Sequence, residues 1–298
     1  MPVLTAPEKN VITSYPLLHD DGTPAMIQVR ESDGIETIID PGFLQPHRKD
    51  YYMFAFVEEG NSRHWIDDVP YIVKPGHFYF TIPPQIHLKE EICPMKGFVA
   101  YFTEEFLLLE ENRMLRQLPI IQNPAAAHEL TLSAADTTYL YDVMRKMLAE
   151  YNNGGEWHNQ MLTSWLRVLV IYLSRMYTDQ FGESRITPSH NLLKSYQQLI
   201  TEHYTDTHDV AAYANQLNIS PGYLNDVVKQ QSGKTAISHI HNRLVVEAKR
   251  RLLHTHLSVK QIADELGFED AAYFNRFFKR LAGDTPVSYR TKIREMYS

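Results

Sequence analysis

Residues 267–290 read GFEDAAYFNRFFKRLAGDTPVSYR, with aromatic and basic side chains interleaved ahead of Gly283. The spacing predicts a helix over 270–281. Tyr273, Phe274, Phe277, Phe278 and Leu281 recur at i, i+1, i+4, i+5 and i+8 and form one core-facing stripe. Ala271, Ala272, Asn275, Arg276 and Lys279 fall on the opposite side. Small residues at the helix start permit close approach to a groove floor. The Arg276 guanidinium matches guanine O6 and N7, and the Asn275 amide matches adenine N6 and N7. Lys279 and Arg280 suit phosphates. A helical bundle with a solvated basic face is the competing reading of this stretch alone.

The pattern occurs twice, which decides between them. Val210, Ala214 and Leu217 match Val259, Ala263 and Leu266 at an offset of 49. Beyond the following turn the offset becomes 50, and Tyr223, Asn225, Lys229, Gly233 and Thr235 match Tyr273, Asn275, Lys279, Gly283 and Thr285. Each copy reads as a short helix, a tight turn and a second helix ending at Gly, a helix-turn-helix over about 208–231 and 258–282. Residues 235–254 join them as a single predicted helix with Ile237, Ile240, Leu244, Ala248 and Leu252 in one stripe. At 1.5 Å per residue such a rod spans about 30 Å. Successive major-groove faces on one side of B-DNA are roughly 34 Å apart. Double-stranded DNA is therefore the expected partner.

Charge partitions the same way. The chain of 298 residues carries a formal net charge of −7, yet residues 184–298 hold 15 Lys and Arg against 11 Asp and Glu, which is +4. Residues 1–183 hold the other 14 against 25, which is −11. An acidic first part on a basic second part predicts two jobs. No apolar run reaches membrane-spanning length, and the first residues lack a signal-peptide pattern. Cys93, the single cysteine, excludes an intramolecular disulfide and fits a reducing, cytoplasmic setting.

Residues about 20–105 read as short strands separated by turn signals such as DDG, DPG, EEGN and KPG, a β-sandwich or barrel. Residues 106–180 read as helices. Ser133 and Asp136 outline a capping box, Leu140 through Tyr151 run at helical spacing, and a second apolar helix runs from Met161 to Met176. Their apolar surface suggests a homodimer through the helices of 134–178; packing on their own barrel is the alternative. Residues 181–189 form a polar linker before an all-helical segment, 190–298.

The 267–290 stretch resembles the signature of AraC/XylS-type transcription regulators: Gly-Phe, an acidic residue, Tyr-Phe, Arg, Phe-Lys, Gly, Thr-Pro and Tyr-Arg. Leu244–Leu253 and Ser220–Leu224 are also similar to that family, so the likeness covers about 190–298. It implies an α+β, multidomain protein. An N-terminal cupin-like barrel with dimerisation helices precedes an all-α domain of two helix-turn-helix units joined by a long helix. It further implies base contacts from Gly222, Asn225 and Asp226 in the first unit and Ala272, Asn275 and Arg276 in the second. Asp226 departs from the family habit of a neutral or basic residue there. Ala271, Lys229, Lys234, Lys279, Arg280 and Arg290 complete the predicted DNA-binding set.

The segments Gly42–Asp50 and Pro75–His87 resemble the two cupin motifs. Metal-binding cupins place a second His where Lys49 stands, leaving His47, His87 and Glu58 or Glu59. A cation there opposes a divalent ion, so no metal or other cofactor is expected. His47, Lys49, Tyr51, His64, Trp65, Tyr79 and His87 are the candidate lining of a small-molecule effector site. The expected function is a cytoplasmic, sequence-specific DNA-binding regulator, an activator under the control of that effector with RNA polymerase as a further partner, and not an enzyme. The alternatives are a cupin-type metalloenzyme with a DNA-binding appendage and a ligand-independent dimeric regulator.

Overall fold

The computed structural model describes residues 12–34, 41–67, 69–83, 85–90, 94–107, 114–123, 127–182 and 191–297. Two five-stranded sheets form the N-terminal part. The strands are β1 (Thr13–Tyr15), β2 (Ile27–Asp33), β3 (His47–Lys49), β4 (Tyr52–Glu59), β5 (Ser62–Ile66), β6 (Val69–Val73), β7 (His77–Thr81), β8 (Ile86–Lys89), β9 (Lys96–Phe102) and β10 (Glu129–Thr131). The first sheet runs β1-β3-β8-β5-β6 and the second β10-β7-β4-β9-β2. Alternation along the second sheet sends Phe54, Phe56, Phe78, Phe80, Phe98, Ala100 and Phe102 to one side, into a continuous core. Met53, Ala55, Tyr79, Thr81 and Val99 therefore turn the other way, toward the first sheet. The Lys49 ammonium of β3 reaches Met53 Sδ of β4 at 3.7 Å.

Three single-turn helices, α1 (Glu104–Leu107), α2 (Met114–Gln117) and α3 (Pro119–Gln122), precede β10. The helical reading of 106–180 is thus corrected at β10, which pairs antiparallel with β7 and belongs to the second sheet. A three-residue strand is too short to display alternation. Then come α4 (Ala134–Asn153) and α5 (His158–Phe181). Ser133 and Asp136 form the reciprocal cap of α4, the Asp136 carboxylate accepting from Ser133 N at 2.8 Å. Leu140, Val143, Met144 and Met147 of α4 and Leu162, Leu166, Leu169 and Leu173 of α5 are buried on the Phe-rich side of the second sheet. Most of the helices' apolar surface is covered within the chain, and Tyr139, Trp157 and Met161 stay exposed. The linker expected at 181–189 lies, from 183 onward, outside the described residues.

The C-terminal part is helical and has its own core. It comprises α6 (Asn191–His203), α7 (Val210–Gln216), α8 (Pro221–Ser232), α9 (Ala236–His254), α10 (Val259–Glu265), α11 (Ala271–Ala282) and α12 (Pro286–Tyr297). Each short helix is capped by a side chain: Asp209 for α7, Ser220 for α8, Ser258 for α10 and Asp270 for α11. The change of offset from 49 to 50 has a plain cause. Asn218 (φ 57°) and Gly267 (φ 79°) occupy the same left-handed position in the two turns. Ile219 N and Phe268 N then donate to Ala214 O and Ala263 O, each at 3.0 Å. The second turn inserts one further residue, Glu269, before its cap. Glycine is required at 267, where a Cβ would lie 2.3 Å from Thr205 O.

The connector α9 is unbroken over 19 residues, about 28 Å at the helical rise. Its Ile240, Leu244, Ala248 and Leu252 are buried, while Ile237 is only partly covered. Glu247 is fully buried and accepts from Arg250 Nη2 at 2.8 Å and from Arg251 Nε at 3.2 Å.

Candidate nucleic-acid interface and ligand site

The second helices of the two units, α8 and α11, each bury one face. Leu224 and Val228 point into the core from α8, and Phe274, Phe277 and Phe278 from α11. The opposite face of α11 exposes Ala272, Arg276, Lys279 and Arg280. The Arg276 side chain is 71% exposed, and its nearest acid is Asp270 at 3.9 Å. On α8 the corresponding surface carries Gly222, Asp226 and Lys229, followed by Lys234 beyond the helix. Cations thus dominate the exposed side of α11, whereas α8 mixes Asp226 with Lys229.

Several predicted residues have other duties. Asn225 Oδ1 accepts from Ala236 N at 3.2 Å and so supplies the first turn of α9 with a cap. Asn275 Nδ2 donates to Ala271 O at 2.8 Å on its own helix, beside the partly buried Ala271. Arg290 donates to Leu252 O at 3.2 Å and Leu257 O at 2.6 Å, which ties α12 to the end of α9. Arg290 thus has a structural duty as a clamp, which its reading as a DNA contact did not include. Sequence shows a guanidinium but not whether a phosphate or a buried carbonyl receives it. The core stripe is corrected at both edges, since Tyr273 (49%) and Leu281 (44%) are exposed. Tyr223, at 57%, is the counterpart of Tyr273. A tyrosine at the same place in both copies was the available signal for a shared surface role.

On the inner side of the first sheet, His47 of β3 lies opposite His87 of β8, ring centroids 5.6 Å apart. His87 Nδ1 lies 3.4 Å from His64 Nε2. His47, Lys49, His64 and His87 are all buried. Burial holds Lys49 down to about 7, with Lys89 adding repulsion. Burial, followed by Lys49, holds His64 and His87 well below the usual histidine range. Tyr79 lies nearby with its hydroxyl engaged, donating to Ile72 O at 2.9 Å and accepting from Lys74 N at 3.0 Å. Tyr51 packs edge-on against Tyr101 with Leu17 and Ala25. Trp65 is corrected: it sits on the other side of β5 from His64, under Arg63, and donates to Glu90 Oε1 at 2.5 Å. Period-two alternation shows that neighbours diverge but not which parity faces inward.

Among the described residues, no three His, Cys, Asp or Glu side chains are grouped to hold a metal ion. Glu59 is exposed and lies 3.4 Å from Lys96. A groove of about 460 Å³ elsewhere, between Glu58, Pro75 and Tyr141, includes none of the predicted effector residues.

One contact joins the two parts through β3 itself. Arg48, between His47 and Lys49, faces away from them and donates to Gln231 O at 2.8 Å and Gln230 O at 3.2 Å, the terminal carbonyls of α8. A guanidinium there complements the negative helix end. Lys249 of α9 pairs with Glu105 of α1, a second link between the two parts.

This architecture defines a two-domain protein, a β-rich domain ahead of a helical helix-turn-helix domain. Residues 32–156 match the AraC-like ligand binding domain, and residues 213–292 match a helix-turn-helix domain. The chain therefore carries an AraC-like ligand-binding domain ahead of an AraC-type helix-turn-helix domain. It is 29% identical over 126 residues to the arabinose operon regulatory protein of Escherichia coli strain K12, 42% of each chain, so it spans less than half that relative's length. It is 22% identical over 268 residues to the HTH-type transcriptional activator RhaS of Escherichia coli, 87% of this chain and 92% of the relative. Among solved structures it is similar to the C-terminal domain of AraT, a response regulator from Geobacillus stearothermophilus. That match has 31% identity and a TM-score of 0.33, and covers 37% of this chain and 88% of that one. Among the described residues, no helix is long and apolar enough to cross a membrane.

Proposed function

We propose that the protein is a sequence-specific transcription activator whose DNA affinity is set by a small molecule bound between the two sheets. The reading as a regulator rather than an enzyme rests on one observation above others: the repeated helix-turn-helix with Arg276, Lys279 and Arg280 exposed on α11. Arg276 takes the base-reading role, Lys279 and Arg280 neutralise phosphates, and Tyr223 and Tyr273 lie beside the contact surface. Gly222, Ala272, Asp226, Lys229 and Lys234 belong to the same surface. Asn225 and Asn275 would have to exchange their internal hydrogen bonds to read a base.

Effector coupling is supported by the strand β3. A ligand contacting His47 or Lys49 displaces the strand that also carries Arg48, and Arg48 holds the end of α8. The two sites are thereby linked through one short element, as coupling between distinct sites requires. Self-association through Tyr139, Trp157 and Met161 on the outer side of α4 and α5 would give the dimer.

The test is selection of bound DNA from a random duplex library with the full chain, with and without cell extract. An enriched sequence whose affinity changes with extract is the expected result. Absence of any enriched sequence overturns the regulator reading, and an enriched sequence indifferent to extract leaves a ligand-independent regulator.

A further inference from the structure

The inner side of the first sheet concentrates nitrogen donors. His47, Lys49, His64 and His87 share it, and Lys89 pairs with His64 across β5 and β8. His128 stands at one end, 2.9 Å from Gln85 Nε2 and 5.4 Å from the Tyr71 ring. The neighbours acting on His64 and His87 through charge are Lys49, Lys89 and further histidines, groups of one sign. Among the described residues, the buried His87 Nε2 and Thr81 Oγ1 in this region find no hydrogen-bond partner. Thr81 sits opposite Met53 in the second sheet, the residue that Lys49 touches. Folded proteins rarely leave such groups unsatisfied. Burial and mutual repulsion disfavour the protonated forms here, and an incoming anion would favour them.

Access is also present. Met53, Ala55 and Val99 keep partial exposure, although Phe54, Phe56, Phe98 and Ala100 beside them along the strands are fully buried. We propose that the space between the sheets takes a small organic carboxylate, its anionic end on Lys49 Nζ, His87 Nε2 and Thr81 Oγ1 and its apolar body against Met53, Ala55 and Val99. This rests on the reading that the barrel binds an effector, and it names the chemical class. When His87 accepts at Nδ1 from His64, its proton lies on Nε2, where it donates to a carboxylate oxygen. Phosphate groups are characteristically held by guanidinium forks and helix N-termini. Here the guanidinium of β3, Arg48, points away to α8, and among the described residues no α-helix stands between β1 and β9.

Binding of an anion beside Lys49 raises its pKa and takes up a proton near neutrality. The titratable groups around Lys49 are Lys89, His47, His64 and His87 on its own sheet, Tyr51 just beyond β3, whose ring lies 6.0 Å from the ammonium, and Tyr79 across the gap.

The experiment is calorimetric titration of the full chain with sodium benzoate and sodium decanoate. Benzamide and decanamide are the neutral controls, and inorganic phosphate and a neutral pentose are the competing classes. Saturable binding of at least one carboxylate, with proton uptake and at least tenfold preference over its amide, is expected. Lys49→Met weakens that binding by roughly ten- to hundredfold, the span of a charge-assisted hydrogen bond, and abolishes the proton uptake. Thr81→Val keeps the side-chain shape and weakens it less. Acetic anhydride labelling of Lys49, read by peptide mass spectrometry, reports independently of stability: the bound carboxylate shifts its titration midpoint upward. Equal binding of the amides or the pentose, binding of phosphate alone, or no binding of either carboxylate overturns the proposal. DNA selection measured on the same preparation fails only if the regulator reading fails, so the two outcomes separate.

Discussion

The two helix-turn-helix units share a plan but differ in packing, surface and attachment. The first fills its core with Leu224 and Val228, the second with Phe274, Phe277 and Phe278. At the same place on the outer face, the first presents Asp226 and the second Arg276. Arg48 of the barrel grips the end of α8. A Cβ on Gly233 would meet Arg48 Nε at 2.9 Å, whereas one on Gly283 would meet nothing within 4 Å. Of the two units, one is fastened to the β-rich domain and the other faces outward with Arg276, Lys279 and Arg280 exposed. Under the proposed function the labour divides accordingly: the second unit reads, and the first couples.

The largest expected effect tests the cores. Phe278→Ala should cost about 3–5 kcal/mol, and its counterpart Val228→Ala about 2 kcal/mol, compared by urea unfolding. Equal losses would remove the packing asymmetry. Next, Arg276→Ala should weaken operator binding by about 1–3 kcal/mol and relax one base preference, while Asp226→Ala should leave binding unchanged or slightly tighter. A loss at Asp226 matching that at Arg276 would make the first unit a reader in its own right, as would follow if the carboxylate accepts from a cytosine amino group. Both comparisons need the selected operator and a set of single-base variants.

Gly233 and Gly283 both hold left-handed backbone, at φ 74° and 79°. Alanine at either should cost about 1–2 kcal/mol, but only Gly233→Ala also displaces Arg48. Its signature is a changed operator response to the effector, absent in Gly283→Ala. The smallest effect is acid sensitivity. Burial, then Lys234, lowers His239 from an ordinary 6.5 to about 4, and its Nε2 lies 2.7 Å from Ser232 Oγ at the end of α8. Between those values the unfolded chain binds the proton and the folded chain does not, so stability falls as pH drops below about 6.5. The loss is under about 1 kcal/mol at pH 6. The repeat places Ala282 where α8 has Ser232. Hydrogen exchange should therefore show α8 loosening before α11 on mild acidification, and simultaneous loosening would count against a separate attachment of α8.

Much of this was legible in the residues. Helical periodicity and the double offset revealed both units and the connector, because each pattern is local and repeats. The edges of the apolar stripe were not, since a stripe's width decides whether Tyr273 and Leu281 are covered, and periodicity gives only its centre. Trp65 was misplaced because alternation has no absolute direction. The Arg48 contact lies beyond any local pattern, as it joins residues 183 positions apart. Arg290 shows the same limit for partners: charge is visible in a sequence, the acceptor is not.

Asn225 bears on any effort to retarget this protein. Its side-chain oxygen caps the start of the connector, so changing that position to suit a new base also disturbs the helix that joins the two units. Arg276 has only a long, solvent-exposed pairing with Asp270 at 3.9 Å among the described residues, so redesign of operator preference can begin there with little slackening of the frame.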